Sequence, residues 1–162
     1  MAKSFTLHRA TVEDIDTLIE FRDVMWREAA SNEGSDNMED TLHADEARDR
    51  AREYFETGLP SGEYVCFLAR AQGRVVGIGG MYFAHPPPWP KSPRGVEGYI
   101  LNMYTLPQWR RIGIASTITR ELLACARNAG ATMAALRASD DGRRIYERFG
   151  FREVPHYMRA EL

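Results

Sequence analysis

The sequence has little of what metal centres, disulfide frameworks and membrane spans require. Only two of its 162 residues are cysteines, Cys66 and Cys125, and neither lies in a CxxC pair or beside a histidine. The four histidines show no metal-ligand spacing. No apolar run approaches the roughly 20 residues that a membrane helix needs. We therefore predict two reduced thiols, no metal site and no transmembrane segment.

The sequence also lacks a surplus of charge of one sign. The formal net charge is −2, and 44% of the residues are hydrophobic and 27% charged, which is typical of a globular protein. A protein that binds nucleic acid normally shows a basic surplus. The start of the chain, Met1–Ser4, shows no charged-then-apolar signal sequence. We therefore expect a cytoplasmic protein that binds neither nucleic acid nor a membrane.

Hydrophobic periodicity predicts an alternation of strands and helices. The predicted strands are Ser4–Arg9, Glu63–Arg70, Arg74–Ala84, Val96–Thr105 and Thr132–Leu136, with Phe151–Val154 and Tyr157–Leu162 as candidates for final strands. The predicted helices begin near Ile15, His43, Gly113 and Asp140; a polar loop at 31–40 separates the first two, and the segment 58–62 ends the second. Antiparallel strands come first and βαβ-like units follow. We therefore predict one α/β (α+β) domain over residues 1–162, with a mixed sheet and helices on its faces.

The predicted strand Val96–Thr105 alternates regularly, and this indicates which side chains share a face. One face carries Glu97, Tyr99, Leu101 and Met103, and the other carries Gly98, Ile100, Asn102 and Tyr104. Tyr99 and Tyr104 would then flank the strand from opposite faces, so at most one of them could face a substrate. In the preceding strand, glycines at 77, 79 and 80 indicate a bulge or a close approach of two backbones.

The segment Arg110-x-x-Gly113-x-Ala115 follows a predicted strand and opens a predicted helix. The first turn of a helix leaves backbone N–H groups unpaired and carries a partial positive charge, and both favour a phosphate. Small residues at 113 and 115 let a pyrophosphate approach the backbone, and Arg110 and Arg111 add charge and donors. The hexapeptide alone is more typical of an ordinary strand-to-helix turn, and it matches neither the Walker A loop nor G-x-G-x-x-G.

The context of this loop resembles the GNAT N-acetyltransferases. The stretch 99–115 (YILNMYTLPQWRRIGIA) is similar to their strand, Pro-containing turn and pyrophosphate loop. The stretch 138–151 (ASDDGRRIYERFGF) is similar to their second signature, a short helix ending in Tyr-Glu-x-x-Gly-Phe, and 7–15 is similar to their first strand and helix. The resemblance covers nearly the whole chain. It implies a GNAT-like fold, with a mostly antiparallel central sheet splayed between the fourth and fifth strands and helices on both faces.

The same resemblance implies acetyl-CoA as cosubstrate and assigns the residues that bind it. Backbone groups of Met103 and Thr105 would pair with the pantetheine arm. The pyrophosphate would be held at the loop and helix start, formed by Arg110, Arg111, Ile112, Gly113, Ile114, Ala115 and Ser116. Ser139 stands where many family members have Asn, and Gly142 stands where they have Ala. A Ser can still donate and accept, so Ser139 is expected to be a weaker or shifted cofactor contact.

Two residues are candidates for the catalytic roles. Tyr146 would lie near the sulfur and protonate the leaving thiolate, whereas outside the resemblance a Tyr on a short amphipathic helix is usually part of the core. Glu97 is the preferred general base, and a solvated Glu at a strand end is the equally weighted alternative. His85, in the proline-rich loop 85–94, is the second candidate for the base, although such a His is more often a surface residue.

The implied activity is transfer of an acetyl group to a primary amine of an unknown small molecule or peptide, by direct attack through a tetrahedral intermediate. We expect the acceptor to bind between the segment 26–45 and the loop 85–94. The apolar segments near the C-terminus would permit a homodimer. Two alternatives stay open: a non-catalytic acyl-CoA-binding sensor on the same fold, and a small phosphate- or nucleotide-binding protein that carries out no acyl transfer.

Overall fold

The computed structural model describes residues 3–33, 43–155 and 158–160. In chain order the elements are β1 Thr6–Arg9, a 3-10 turn Val12–Asp14, α1 Ile15–Glu33, α2 Ala44–Ser61, β2 Tyr64–Ala71, β3 Arg74–Ala84, β4 Glu97–Thr105, a 3-10 turn Pro107–Trp109, α3 Ile114–Asn128, β5 Met133–Leu136 and α4 Asp140–Glu147. Within the described residues, no helix is long and apolar enough to cross a bilayer.

The five strands form one sheet in the order β1-β2-β3-β4-β5. The pairs β1–β2, β2–β3 and β3–β4 are antiparallel, and β5 pairs parallel to β4. This parallel pairing is short, because Met133–Leu136 of β5 lies beside only Glu97–Ile100, the first half of β4. The mixed sheet and the separation of the fourth and fifth strands that the sequence predicts are therefore confirmed.

Helices cover the two faces of the sheet and create two cores. On one face lies α3, whose fully or nearly fully buried residues recur every four positions at Ile114, Ile118, Leu122 and Ala126. This spacing produces one apolar stripe on a helix. On the other face α1 and α2 bury Ile15, Leu18, Ile19 and Phe55 against side chains of β2, β3 and β4. We call these the α3 face and the α1–α2 face.

The hairpin between β2 and β3 has a two-residue turn. Gln72 has φ 51° and Gly73 has φ 73°. Two successive residues with positive φ give the turn whose twist matches antiparallel strands. The predicted turn at 71–73 is therefore confirmed, although Ala71 belongs to β2.

β4 contains a β-bulge at Asn102. Along β3 the partners advance by two residues from Ile78 to Gly80, whereas along β4 they advance by three, from Tyr104 to Leu101. Asn102 has φ 54°, a left-handed conformation that Asn tolerates better than most residues. The extra residue is therefore accommodated in β4, opposite the glycine pair of β3.

The bulge corrects the predicted side-chain alternation of β4. Met103 packs into the α3 core, together with Ile100. Tyr104 packs into the α1–α2 core with Leu101. The regular alternation was wrong because one inserted residue exchanges the faces of everything that follows it. Tyr99 stacks on Tyr82, which packs into the same core as Tyr104, so both tyrosines lie on the α1–α2 face rather than on opposite faces.

The ends of the two N-terminal helices also differ from the prediction. α1 continues to Glu33, so the first part of the predicted polar loop is helical, and residues 34–40 of that loop lie outside the described residues. α2 runs through Gly58 and Pro60 to Ser61 and ends at Gly62, which has φ 79°. Gly58 does not stop the helix because it packs closely on β2, where a Cβ would lie 3.0 Å from Cβ of Tyr64.

The predicted strand Phe151–Val154 is wrong, since this segment is irregular. The N–H of Phe151 instead donates to the carbonyl of Tyr146 at 3.2 Å, which ends the last helix. Of the other candidate strand, Tyr157–Leu162, residues 158–160 are irregular and the remainder lies outside the described residues.

The close packing at Gly79 predicts a large penalty for its substitution. A Cβ there would lie 2.6 Å from Cγ2 of Ile118 and 2.7 Å from Sδ of Met103. We expect Gly79→Ala to lower the free energy of unfolding by about 2–3 kcal/mol through overpacking. Urea denaturation would measure it beside Gly62→Ala, where the Cβ has open space and positive φ alone should cost about 1 kcal/mol. An unchanged unfolding free energy in Gly79→Ala would contradict this account.

Candidate active site

The second half of β4 has a free edge. The N–H of Leu106 donates to the carbonyl of Val76 at 3.0 Å, on the β3 side. Because successive residues of a strand point their backbone groups to alternate edges, those of Thr105 and Met103 point away from β3. No strand among the described residues pairs with this edge beyond Ile100. The edge can therefore accept an extended ligand as an additional strand would pair.

The segment that follows presents an array of backbone N–H groups. Arg111 has φ 64° and Gly113 has φ 91°. Gly113 is the N-cap residue of α3, and no side chain forms a capping hydrogen bond there. In α3 the first N–H bonded to a backbone carbonyl is that of Thr117, which donates to Gly113 at 2.9 Å. The N–H groups from Ile112 to Ser116 have no acceptor among the described residues. Such an array at a helix start has the chemistry to bind an anion.

The space in front of this array is open. A Cβ built on Gly113 would have no atom within 4 Å. The side chain of Ile114 is buried beneath the array, whereas Ile112, Ala115 and Ser116 are half-buried and Arg111 is exposed. A phosphate group can therefore approach the backbone directly, which is the chemistry that the sequence predicts for this loop.

Arg110 points back toward β4 instead of out over the loop. Its Nε donates to the carbonyl of Thr105 at 2.9 Å, and its Nη2 donates to Oε1 of Glu28 at 2.6 Å. Tyr104 completes this cluster: its hydroxyl donates to Oε2 of Glu28 at 2.5 Å, and its ring centroid lies 5.5 Å from the guanidinium of Arg110. Glu28 of α1 thus links the second half of β4 to Arg110, at the start of the loop that leads into α3.

This cluster keeps Glu28 ionised. The hydrogen bond from Tyr104, followed by the one from Arg110, lowers the pKa of the Glu28 carboxyl against the opposing effect of burial. The pKa of the Tyr104 hydroxyl is raised by burial and by its bond to Glu28. At neutral pH the cluster is therefore a carboxylate that accepts from a neutral phenol and from a guanidinium.

Tyr146 is buried in α4 with its ring 5.9 Å from that of Phe151, edge to face. Burial raises the pKa of its hydroxyl to about 12. The Tyr146 hydroxyl has no hydrogen-bond partner among the described residues. Every fully buried polar side-chain atom of those residues does have a partner, so the Tyr146 oxygen is not fully buried and contacts solvent. A hydroxyl with this raised pKa is protonated at neutral pH and can donate to a ligand.

The two candidate bases lie at the opposite end of β4 from Met103. Oε1 of Glu97 accepts from the indole N–H of Trp89 at 3.1 Å. Nε2 of His85 lies 3.2 Å from Oε2 of Glu63. Since Glu97 precedes Met103 by six residues, about 20 Å of strand separates their backbones. Direct contact of Glu97 with a group bound at Met103 is therefore excluded, and a proton would have to travel through water.

Ser139 has a structural partner. It is the N-cap of α4, where its Oγ accepts from the N–H of Gly142 at 3.2 Å. A Cβ at Gly142 would lie 3.2 Å from the same Oγ. Ser139 thus fixes the start of the helix that carries Tyr146, and its hydroxyl proton is still available to another acceptor.

Residues that sequence reasoning missed at this site are Glu28, Arg22 and Asn102. Glu28 and Arg22 gave no signal, because charged residues on an amphipathic helix are normally solvated. Asn102 did give one: a polar residue that disfavours strands stands within an apolar strand opposite a glycine pair.

Among the described residues, no cluster of three or more His, Cys, Asp or Glu side chains could hold a metal ion.

Comparison with known proteins agrees with this geometry. The model of the acetyltransferase (GNAT) family matches residues 20–151. A predicted acetyltransferase with acetyl-CoA from Clostridium acetobutylicum is 25% identical, with a TM-score of 0.82 over 98% of this chain and 96% of that one. A GCN5-related N-acetyltransferase from Ralstonia eutropha JMP134 is 24% identical, with a TM-score of 0.81 over 98% and 99%. No curated protein matches the sequence.

More distant structures share the fold. An aminoglycoside N-acetyltransferase in complex with CoA is 14% identical, with a TM-score of 0.73 over 100% of this chain and 97% of that chain. The similarity spans this chain and nearly the whole of that one, so the two share one fold.

The lowered pKa of Glu28 predicts how this cluster contributes to stability at different pH. Its contribution is fully present above the ordinary Glu pKa of about 4.3 and is lost as the pH falls through the lowered folded value. Because the side chain is about one third exposed, we expect Glu28→Gln to cost about 1 kcal/mol or less at pH 7. The difference from the wild type should shrink toward pH 3 in urea denaturation. Glu20→Gln, an exposed carboxyl of the same helix, is the control. A difference that stays constant down to pH 3 would contradict the assignment.

Proposed function

The chain belongs to the acetyltransferase (GNAT) family, and from this premise we propose that it transfers the acetyl group of acetyl-CoA to a primary amine of a small molecule or peptide. One observation carries the proposal: the unpaired N–H groups from Ile112 to Ser116 directly follow the free edge of β4. A diphosphate joined to an extended amide-containing chain has the chemistry that such a pair of surfaces binds. We propose further that residues 1–162 act as one domain.

The cosubstrate would be held almost entirely by backbone groups. The pyrophosphate accepts hydrogen bonds at the start of α3, where Gly113 leaves room for it. The amides of the pantetheine arm pair with the free-edge groups of Met103 and Thr105. Arg111 is the exposed cation of the loop, and Arg110 contributes positive charge from its position beside Thr105. Ser139 is a secondary contact. Solved relatives that contain acetyl-CoA or CoA support this choice of cosubstrate.

The proposed chemistry is a direct transfer. The neutral amine attacks the thioester carbon, a C–N bond forms, and the resulting oxyanion is stabilised by a backbone N–H near Met103. The C–S bond then breaks, and Tyr146 gives its proton to the departing thiolate. The pKa of about 12 keeps Tyr146 protonated at neutral pH, as a general acid requires. Glu97 accepts the proton of the amine through water.

The acceptor would approach from the α1–α2 face. Tyr99 and Tyr104 both line this face of β4, because the bulge at Asn102 places them on the same side. The expected acceptor boundary 26–45 includes residues 34–42, which lie outside the described residues. The similar fold of an aminoglycoside N-acetyltransferase favours a small-molecule amine. A homodimer stays a prediction.

Binding of acetyl-CoA tests the cosubstrate site first. We expect calorimetry to give a dissociation constant in the micromolar range, about −8 kcal/mol. Gly113→Glu places an anion where the pyrophosphate binds, so affinity should fall by roughly 100-fold or more, about 2.7 kcal/mol. Gly62→Glu is the matched control, since Gly62 also has positive φ and open space but lies at the far end of the sheet. Equal loss of affinity in both variants, or no binding by the wild type, would overturn the site.

Turnover tests the role of Tyr146. With an amine found by screening, we expect Tyr146→Phe to lower kcat by roughly 100-fold, because it removes the general acid. The affinity for acetyl-CoA should change little, since the ring is kept. Thiol release followed spectroscopically measures kcat, and calorimetry confirms binding by the variant. Undiminished kcat would remove Tyr146 from the mechanism. Tight binding by the wild type without turnover on a broad amine panel would favour the acyl-CoA sensor instead.

A further inference from the structure

The bulge residue Asn102 is the centre of a buried hydrogen-bond network that reaches three elements. Its Oδ1 accepts from Nη1 of Arg22 in α1 at 2.8 Å, and its Nδ2 donates to the hydroxyl of Tyr64 in β2 at 3.0 Å. Asn102 is 6% exposed and Tyr64 is 1% exposed. Both side-chain ends of Asn102 are therefore fixed by groups that are anchored in different parts of the fold.

Arg22 serves this network without a carboxylate partner. Among the described residues no acidic side chain forms an ion pair with it. Its guanidinium lies 5.8 Å from the ring centroid of Phe55 in α2. A partly buried guanidinium normally pairs with a carboxylate. In the described part of the chain, its one hydrogen bond to another side chain goes to the amide oxygen of Asn102, at the bulge.

The position of Tyr64 is equally constrained. A Cβ on Gly80 would lie 2.1 Å from the hydroxyl of Tyr64, so the hydroxyl occupies the volume that any larger side chain at Gly80 would fill. The ring is also fixed by Phe55 and Tyr54, with centroid distances of 5.0 Å and 5.7 Å. The Tyr64 hydroxyl that accepts from the Asn102 amide is thus also held in place by the packing of its ring against Gly80, Phe55 and Tyr54.

Such reinforcement is needed because the bulge is costly by itself. A left-handed conformation costs a residue with a Cβ roughly 1–2 kcal/mol, and it persists only where the surroundings over-determine it. The bulge lies where β5 ceases to pair with β4, and Met103, the next residue, points its N–H to the free edge. The conformation of Asn102 therefore decides how that N–H is aimed.

We propose that Asn102, held by Arg22 and Tyr64, is a positioning residue that aims the N–H of Met103 at the thioester carbonyl of acetyl-CoA. The proposal rests on the proposed function and extends it, because it assigns a catalytic purpose to three side chains that do not touch the reacting atoms. A small misplacement of the donor weakens its contact in the transition state more than it weakens binding of the cosubstrate.

The test uses acetyl-CoA labelled with 13C at the acetyl carbonyl and needs no acceptor amine. A hydrogen bond to this carbonyl draws electron density from it and moves its 13C resonance downfield from that of the free cosubstrate. We expect that displacement in the wild type. Asn102→Gly keeps the left-handed backbone without strain but removes the side chain, and it should lose more than half of the displacement while the dissociation constant stays within about threefold. Tyr64→Phe should lose part of it.

Two further variants separate positioning from general stability. Asn102→Asp still accepts from Arg22 and can accept from the rotated hydroxyl of Tyr64, so it should restore most of the displacement. Asp23→Asn breaks the 3.1 Å ion pair with Arg48 on the neighbouring residue of α1 and should leave the resonance at its wild-type position. Circular dichroism melting of each variant reports folding separately.

Each outcome has a defined meaning. No binding of acetyl-CoA by the wild type would overturn the proposed function itself. Binding without a displaced carbonyl resonance, or a displacement that Asn102→Gly retains in full, would overturn the positioning role and leave the proposed function standing. If Asn102→Gly and Asp23→Asn lost the displacement equally, the network would be only part of the general packing of α1.

Discussion

The structure depends on the unequal pairing of the two edges of β4. β4 pairs with β3 on both sides of the bulge at Asn102, from Glu97 to Thr105, but it pairs with β5 only over Glu97–Ile100. A strand that is satisfied on both edges at its start and on one edge at its end must leave backbone donors and acceptors facing open space. Buried backbone groups of this kind are costly unless solvent or a ligand satisfies them. The proposed binding surface is therefore a consequence of strand length: β5 ends at Leu136, and the unpaired edge of β4 begins beyond Ile100.

The first helix controls this edge from the other side of the sheet. Arg22 reaches the bulge, and Glu28 reaches Tyr104 and Arg110 at the end of the strand. These three contacts join residues more than 70 positions apart in sequence, so they form only when α1 is docked on the folded sheet. α1 thus contacts both the face of β4 that would bind the amine and the end of β4 that would hold the cosubstrate.

Periodicity was sufficient to predict the order of the elements and the mixed sheet, because long amphipathic segments such as α3 leave a clear apolar stripe. The loop 110–115 could be proposed as a pyrophosphate site only through the family resemblance, because the hexapeptide alone is more typical of an ordinary strand-to-helix turn. The bulge was not predictable from alternation, which assumes one residue per partner, and the faces of Met103 and Tyr104 were wrong as a result. Arg22 and Glu28 could not be predicted as site residues, since their partners are distant in sequence. The end of α2 was misplaced because packing of Gly58 on Tyr64 outweighs the local tendency of Gly and Pro to end a helix.

The overlap between Tyr64 and the space above Gly80 also limits how this sequence can change over time. Any side chain at position 80 would meet not only the hydroxyl but also the ring, with Cζ at 2.5 Å from the added carbon. Replacing Tyr64 by Phe first would therefore not make room. A larger residue could replace Gly80 only after a smaller residue had replaced Tyr64. The intermediate protein would have a cavity in its core. The residues at positions 64 and 80 therefore constrain each other. We expect this part of the sheet to accept substitutions more slowly than its burial alone predicts.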